Sequence, residues 1–129
     1  MMLSKGRELF FKGEIYLAEN SLKREKDYKC LAYLYEKQKL YSKALKVYGD
    51  KEKLTLRELI RANNCLKKIG DFKSSLYLEN IIEIVKNKNA KTNYLYHGKF
   101  GYGVILKEET SVKECFFPIL QKRINLIIK

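Results

Sequence analysis

The chain has no tryptophan, one proline, one histidine and three cysteines among its 129 residues. No uninterrupted apolar stretch approaches the roughly 18 residues of a membrane-crossing helix, so no such span is expected. The start, Met1-Met2-Leu3-Ser4-Lys5-Gly6, lacks the charged-then-apolar layout of a secretory leader. Cys30, Cys65 and Cys115 stand far apart with no Cys-x-x-Cys pair. An odd, dispersed set is expected of reduced thiols rather than of a disulfide frame or a zinc site. These absences together predict a small cytoplasmic protein without metal or cofactor.

Charge is what the chain has in quantity. Lys plus Arg number 27 against 15 Asp plus Glu, a net charge of +12. The surplus is spread, at +8 over residues 1–89 (20 basic, 12 acidic) and +4 over 90–129 (7 basic, 3 acidic). No block of five like charges marks a tail. Lys outnumbers Arg 22 to 5, whereas the planar fork of Arg is the usual reader of phosphates and bases. The balance suits an acidic protein segment as well as a nucleic acid.

Apolar spacing is helical over the first two-thirds. Tyr28, Leu31, Ala32 and Tyr35 form one stripe at i, i+3, i+4, i+7, with Asp27 before them as an N-cap. Tyr41, Ala44, Leu45 and Tyr48 repeat the spacing, and Gly49-Asp50 is read as the stop. The short connector Lys37-Gln38-Lys39-Leu40 folds the two helices into an antiparallel hairpin. A second pair opens at Thr55 with Glu58 three residues on, a capping-box signature, and shows Leu59, Ala62, Leu66 and Ile69. Gly70-Asp71 ends that helix. Phe72, Leu76, Leu78, Ile81, Ile82 and Val85 are assigned to the apolar face of its partner. An earlier pair has Met2, Gly6, Leu9 and Phe10, then Gly13, then Ile15, Ala18 and Leu22, with a short second helix.

Past residue 89 the texture changes. Tyr94-Leu95-Tyr96, Gly103 to Leu106, Val112 to Phe117 and Ile124 to Ile128 are short β-branched or aromatic runs separated by Gly, Pro and charged residues. They predict three or four strands. The fold expected is mainly α: three stacked antiparallel helical hairpins over 1–89, with a small β appendage over 90–129.

Residues 27–50 resemble a tetratricopeptide repeat. Tyr28, Leu31, Ala32 and Tyr35 match the large, Leu, small and Tyr places of its first helix; Tyr41, Ala44 and Tyr48 match those of its second. The flanking units match less closely, with Asn63 in place of a small residue and Glu79 in place of an aromatic. The connectors at Gly13, Lys39 and Gly70 lie 26 and 31 residues apart, shorter than the family's period of about 34. The resemblance implies a concave face, built from first helices, that receives a segment of another protein. Carried over by position, that face presents Lys29, Tyr33 and Lys37, then Ile60, Asn64, Lys67 and Lys68. Helical spacing independently groups Lys26, Lys29, Tyr33 and Lys37 on one face, and Arg57, Arg61, Asn64 and Lys68 on another. Arg57 and Arg61 also match cationic places of the carboxylate clamp of some members. Cys30 and Leu3 stand where that clamp has an amide and a lysine, so a full clamp is not implied.

The string His97-Gly98-Lys99-Phe100-Gly101-Tyr102-Gly103-Val104 lacks the third glycine and downstream acid of a dinucleotide site. It resembles the opening of Tudor or SH3-like barrels in CarD-type transcription regulators and repair-helicase C-termini, which dock on RNA polymerase. That resemblance makes His97, Lys99, Phe100 and Tyr102 candidate contacts. His97 has no Cys or Asp beside it in sequence to orient or activate, so no catalytic residue is assigned. The reading that follows is a non-catalytic adaptor or assembly factor binding an acidic or amphipathic segment of a partner protein, with homo-oligomerisation allowed. The alternative is a nucleic-acid- or polymerase-associated module acting through the β region and the basic faces.

Overall fold

The computed structural model describes residues 3–51, 53–87 and 94–127. The expected boundary at 89/90, the apolar Met2 and the strand end at Ile128 lie outside them. Six helices come first: α1 (Lys5–Phe11), α2 (Ile15–Glu25), α3 (Tyr28–Lys37), α4 (Tyr41–Asp50), α5 (Leu56–Lys68) and α6 (Phe72–Asn87). Four strands follow: β1 (Tyr94–His97), β2 (Gly101–Glu108), β3 (Val112–Phe117) and β4 (Lys122–Ile127). They form one antiparallel sheet in the order β1-β2-β3-β4. The protein is mainly α with a C-terminal β appendage.

Local chemistry sets the helix ends. The Asp27 side chain accepts the Cys30 amide as the N-cap of α3. Thr55 and Glu58 exchange both bonds of a capping box at α5, where Glu58 also takes Lys51. Asp71 accepts from both the amide and the hydroxyl of Ser74 at the start of α6. Gly13 and Gly70 take φ of +81° and +85° in the turns of the first and third hairpins, a region costly for other residues. Each helix packs on its sequence neighbour, and buried Ala18, Leu22, Ala32, Leu45, Leu59, Leu66 and Ile81 fill the layer between them.

Three local expectations change. Phe72 and Leu76 are 65% and 64% exposed, while Ser74 and Ser75 are buried. Ser75 donates its hydroxyl to Asn63 Oδ1 at 2.7 Å inside the α5–α6 interface. A hydrogen-bonded polar pair thus occupies ground where spacing alone favours apolar residues. Second, α4 ends at Asp50 as expected, but Gly49 is itself helical and does not end the helix through a left-handed turn. A Cβ there would lie 3.0 Å from Leu120 Cδ2, which makes Gly49 the place where α4 meets the β3–β4 turn. Third, α1 at 7 residues, not α2 at 11, is the short member of the first hairpin.

The sheet shares the helical core. Residues directly opposite in an antiparallel pair project from the same face. The register Tyr96↔Tyr102, Tyr94↔Val104 and Val104↔Phe116 therefore defines one face of the sheet. Tyr102, Val104 and Ile119 join the core cluster of the helices. Phe116 meets Tyr77 of α6 at a ring separation of 5.0 Å. Gln121 Nε2 donates to Asp71 Oδ2 at 2.6 Å, a polar tie between the β3–β4 turn and the start of α6.

Candidate functional site

The first helices of the three hairpins converge on one groove. In α1 the Ser4 side chain caps Arg7 N, and two turns suffice to range Arg7, Phe10 and Phe11 along it. Arg7 reaches α3, where Nε and Nη2 donate to the two Asp27 oxygens at 2.7 and 3.1 Å. The carboxylate that starts α3 therefore also holds α1 to it. The Arg7 hydrogen bonds keep the Asp27 carboxyl below its ordinary pKa against the opposing effect of burial, and raise that of Arg7.

Tyr33 forms the middle of the groove. Phe10 meets its ring edge-on at 5.7 Å, and Phe11 meets Phe10 at 5.6 Å. From α5 the Arg61 guanidinium stands 4.7 Å from the Tyr33 centroid, and Lys37 Nζ lies 5.5 Å from it. Arg61 Nη2 donates to Glu36 Oε2 at 2.8 Å, and the Tyr48 hydroxyl donates to the same oxygen at 2.7 Å. Burial, the largest single influence, works to lower the Arg61 pKa, but the Glu36 bond together with the fields of Tyr48, Glu36 and Tyr33 outweighs it and the net shift is upward. Burial, seconded by Glu36, pushes the Tyr48 phenol up, so it stays a donor.

The resulting groove has a volume of about 310 Å³, lined by Arg7, Phe10, Phe11, Lys29, Cys30, Tyr33 and Arg61. Among the described residues no carboxylate is in that lining. Phe11 is 70% and Tyr33 38% exposed, so the rings present apolar surface to solvent. Among the described residues neither Lys29 nor Lys37 forms an ion pair, whereas both arginines do. The arginines brace the helices and the lysines carry the uncompensated charge. Burial raises the pKa of the half-buried Cys30 thiol, which lines the groove.

Of the residues expected on this face, the structure brings Lys29, Tyr33 and Arg61 into the groove and Lys37 beside it. Arg57, Asn64 and Lys68 are exposed along the Arg61 side of α5, and Ile60 is exposed on the same helix. Lys67 departs from the expectation: it turns to α6 and pairs with Glu79 Oε1 at 2.9 Å. Arg7, Phe10 and Phe11 were not singled out as site residues, although the Gly6, Leu9, Phe10 pattern carried the signal for their helix.

In the β region His97 closes the β1–β2 turn. Its Nδ1 accepts the amides of Lys99 and Phe100 at 3.1 and 3.3 Å, and its ring stacks on Phe100 at 4.7 Å. Lys99 Nζ lies 5.5 Å from the Phe100 centroid. Tyr102 is only 8% exposed and packs toward the helices, which corrects its assignment as a contact residue. Among the described residues no group of three or more His, Cys, Asp or Glu side chains is placed to hold a metal, and no helix is long and apolar enough to cross a membrane.

Comparison with protein-family models, curated proteins and solved structures finds no match. The likenesses to tetratricopeptide repeats and to Tudor barrels rest on the residues quoted above, and function has to be argued from the groove.

Proposed function

We propose that the protein is a non-catalytic adaptor or assembly factor whose α1–α3–α5 groove receives an acidic or amphipathic segment of a partner protein. One observation carries this reading: exposed rings from two hairpins lie together in a groove whose lining, among the described residues, includes cations and no carboxylate. Aromatic rings supply large apolar contact area at low entropic cost. Lys29 and Lys37, in no ion pair among the described residues and within the same stretch of α3, favour acidic flanks and faster encounter.

The test compares partner capture by the native chain, a Phe11→Ala, Tyr33→Ala variant and a Lys29→Glu, Lys37→Glu variant. A defined partner retained at high salt, lost by the ring variant and weakened by the charge variant, is the expected outcome. Binding to arbitrary RNA or DNA that collapses as salt rises, unaffected by the ring variant, would instead mark a phosphate-binding surface.

A further inference from the structure

The second face of the sheet buries Cys115 and Phe117 but, among the described residues, leaves Leu95, Ile124 and Leu126 only partly covered. Pairing of Leu95 with Gly103, Cys115 with Ile124 and Lys113 with Leu126 puts these residues opposite the face that packs on the helices. Gly103 is the floor of this face, since a Cβ there would lie 2.6 Å from the Phe117 ring. Phe100 closes over that ring at 5.3 Å. Beyond Phe100 the face opens into a cleft of about 720 Å³. Its walls come from the two ends of the strand order: Leu95 and His97 on β1, Ile124 and Leu126 on β4. The sheet is therefore curled enough for its first and last strands to face one cleft, yet among the described residues β4 has no strand on its outer side.

We propose that this cleft is a second docking site, in which an extended apolar segment of a partner protein, flanked by acidic residues, pairs as a fifth strand along the outer edge of β4. A free edge presents unpaired amide and carbonyl groups that an extended chain satisfies, while alternate side chains enter the pocket beside it. The six residues of β4 give an edge about 20 Å long, enough for a segment to place alternate side chains against Leu95, Ile124 and Leu126. Acidic flanks follow from the charges. Among the described residues the cleft lining includes Lys113 and no carboxylate. Lys113 is paired at 3.4 Å with the exposed Glu108, outside the lining. At the opposite end Lys122 shares the cleft face through its pairing with Phe117, and Lys99 lies over Phe100. Among the described residues neither Lys99 nor Lys122 is in an ion pair. A second copy of this chain is disfavoured as occupant, because each copy carries +12 and like charge opposes association.

The test titrates the full isotope-labelled chain with synthetic peptides of about eight residues, followed by amide shifts and amide exchange. One peptide alternates Val and Thr between terminal Glu residues; a second has Lys at the ends; a third is the first with alternate backbone amides methylated. The first is expected to shift and protect amides of residues 122–127, and to bind at least about tenfold more tightly than either of the others. Leu126→Glu should weaken it by a similar factor. Lys122→Glu, at an exposed position that leaves the fold intact, should erase the preference for Glu ends. Equal binding of the methylated peptide, preference for Lys ends, shifts confined to the α1–α3–α5 groove, or no binding would each overturn the proposal.

Discussion

Arg61 of α5 sits 4.7 Å from the ring centroid of Tyr33 on α3 while its Nη2 holds Glu36 at 2.8 Å. One side chain thus joins two first helices and shapes the aromatic surface between them. The charge that makes Arg61 a candidate contact in the sequence is already matched within the protein. A positive residue on an expected binding face can be part of the wall of the site.

Replacing Arg61 by Ala is expected to lower stability by about 1–2 kcal/mol, because the half-buried Glu36 carboxylate keeps Tyr48 but loses its charged partner. Arg61→Ala combined with Glu36→Gln should recover part of that loss. Chemical denaturation of the two single variants and the double variant measures the coupling. Strictly additive losses would show that the pair contributes nothing.

The Asn63–Ser75 pair gives a sharper case. Ser75→Ala leaves Asn63 Oδ1 buried without its donor, which is expected to destabilise by about 1–3 kcal/mol. Adding Asn63→Ala removes the stranded group and puts a small side chain in its place. The double variant should therefore be more stable than Ser75→Ala alone, as read by thermal melting.

Much of the fold was legible because its signals are local. Asp27, the Thr55–Glu58 box and the glycines at 13 and 70 act within a few residues of where they stand. The α3 stripe also survives, with Leu31, Ala32 and Tyr35 buried as spaced. What failed depends on partners distant in sequence. Ser75 displaces Leu76 from the interface because Asn63 waits across it. Lys67 leaves the expected face for Glu79. Gly49 reads as a helix stop until Leu120, 71 residues later, is seen against it. The place of Arg7 and Phe11 in the groove is not legible in the sequence because a helix of 7 residues shows less than one full repeat of the i, i+3, i+4, i+7 pattern.

Acid should unfold the protein through its braced carboxylates. Asp27 is held below its ordinary pKa by Arg7, and Glu58, despite burial that pushes it up, by Lys51 and the Thr55 amide. Asp71 is likewise held down, burial being outweighed by Gln121 and Ser74. A carboxyl depressed by folding contributes stability that is complete above its unfolded pKa and lost as pH falls through the folded one. The melting temperature is therefore expected to be insensitive to these groups from pH 7 to about 5 and to fall below about 4. Asp27→Asn should lower the neutral plateau and make the acid limb shallower. An acid limb unchanged by that variant would assign the loss to other groups.

The order of elements along the chain has a bearing on how the protein is made. Each of the six helices and four strands packs on the one before or after it, with α6 meeting β2 across the junction. Such local pairing favours rapid folding, and it lets a nascent chain settle element by element as it leaves the ribosome. On that route β4 follows the other nine described elements, and the Gln121–Asp71 tie forms only after all six helices have been made. Until then Asp71 is held by Ser74 at the start of its own helix, so a ribosome paused before residue 121 would carry a helical stack whose Gln121 latch has not yet been translated.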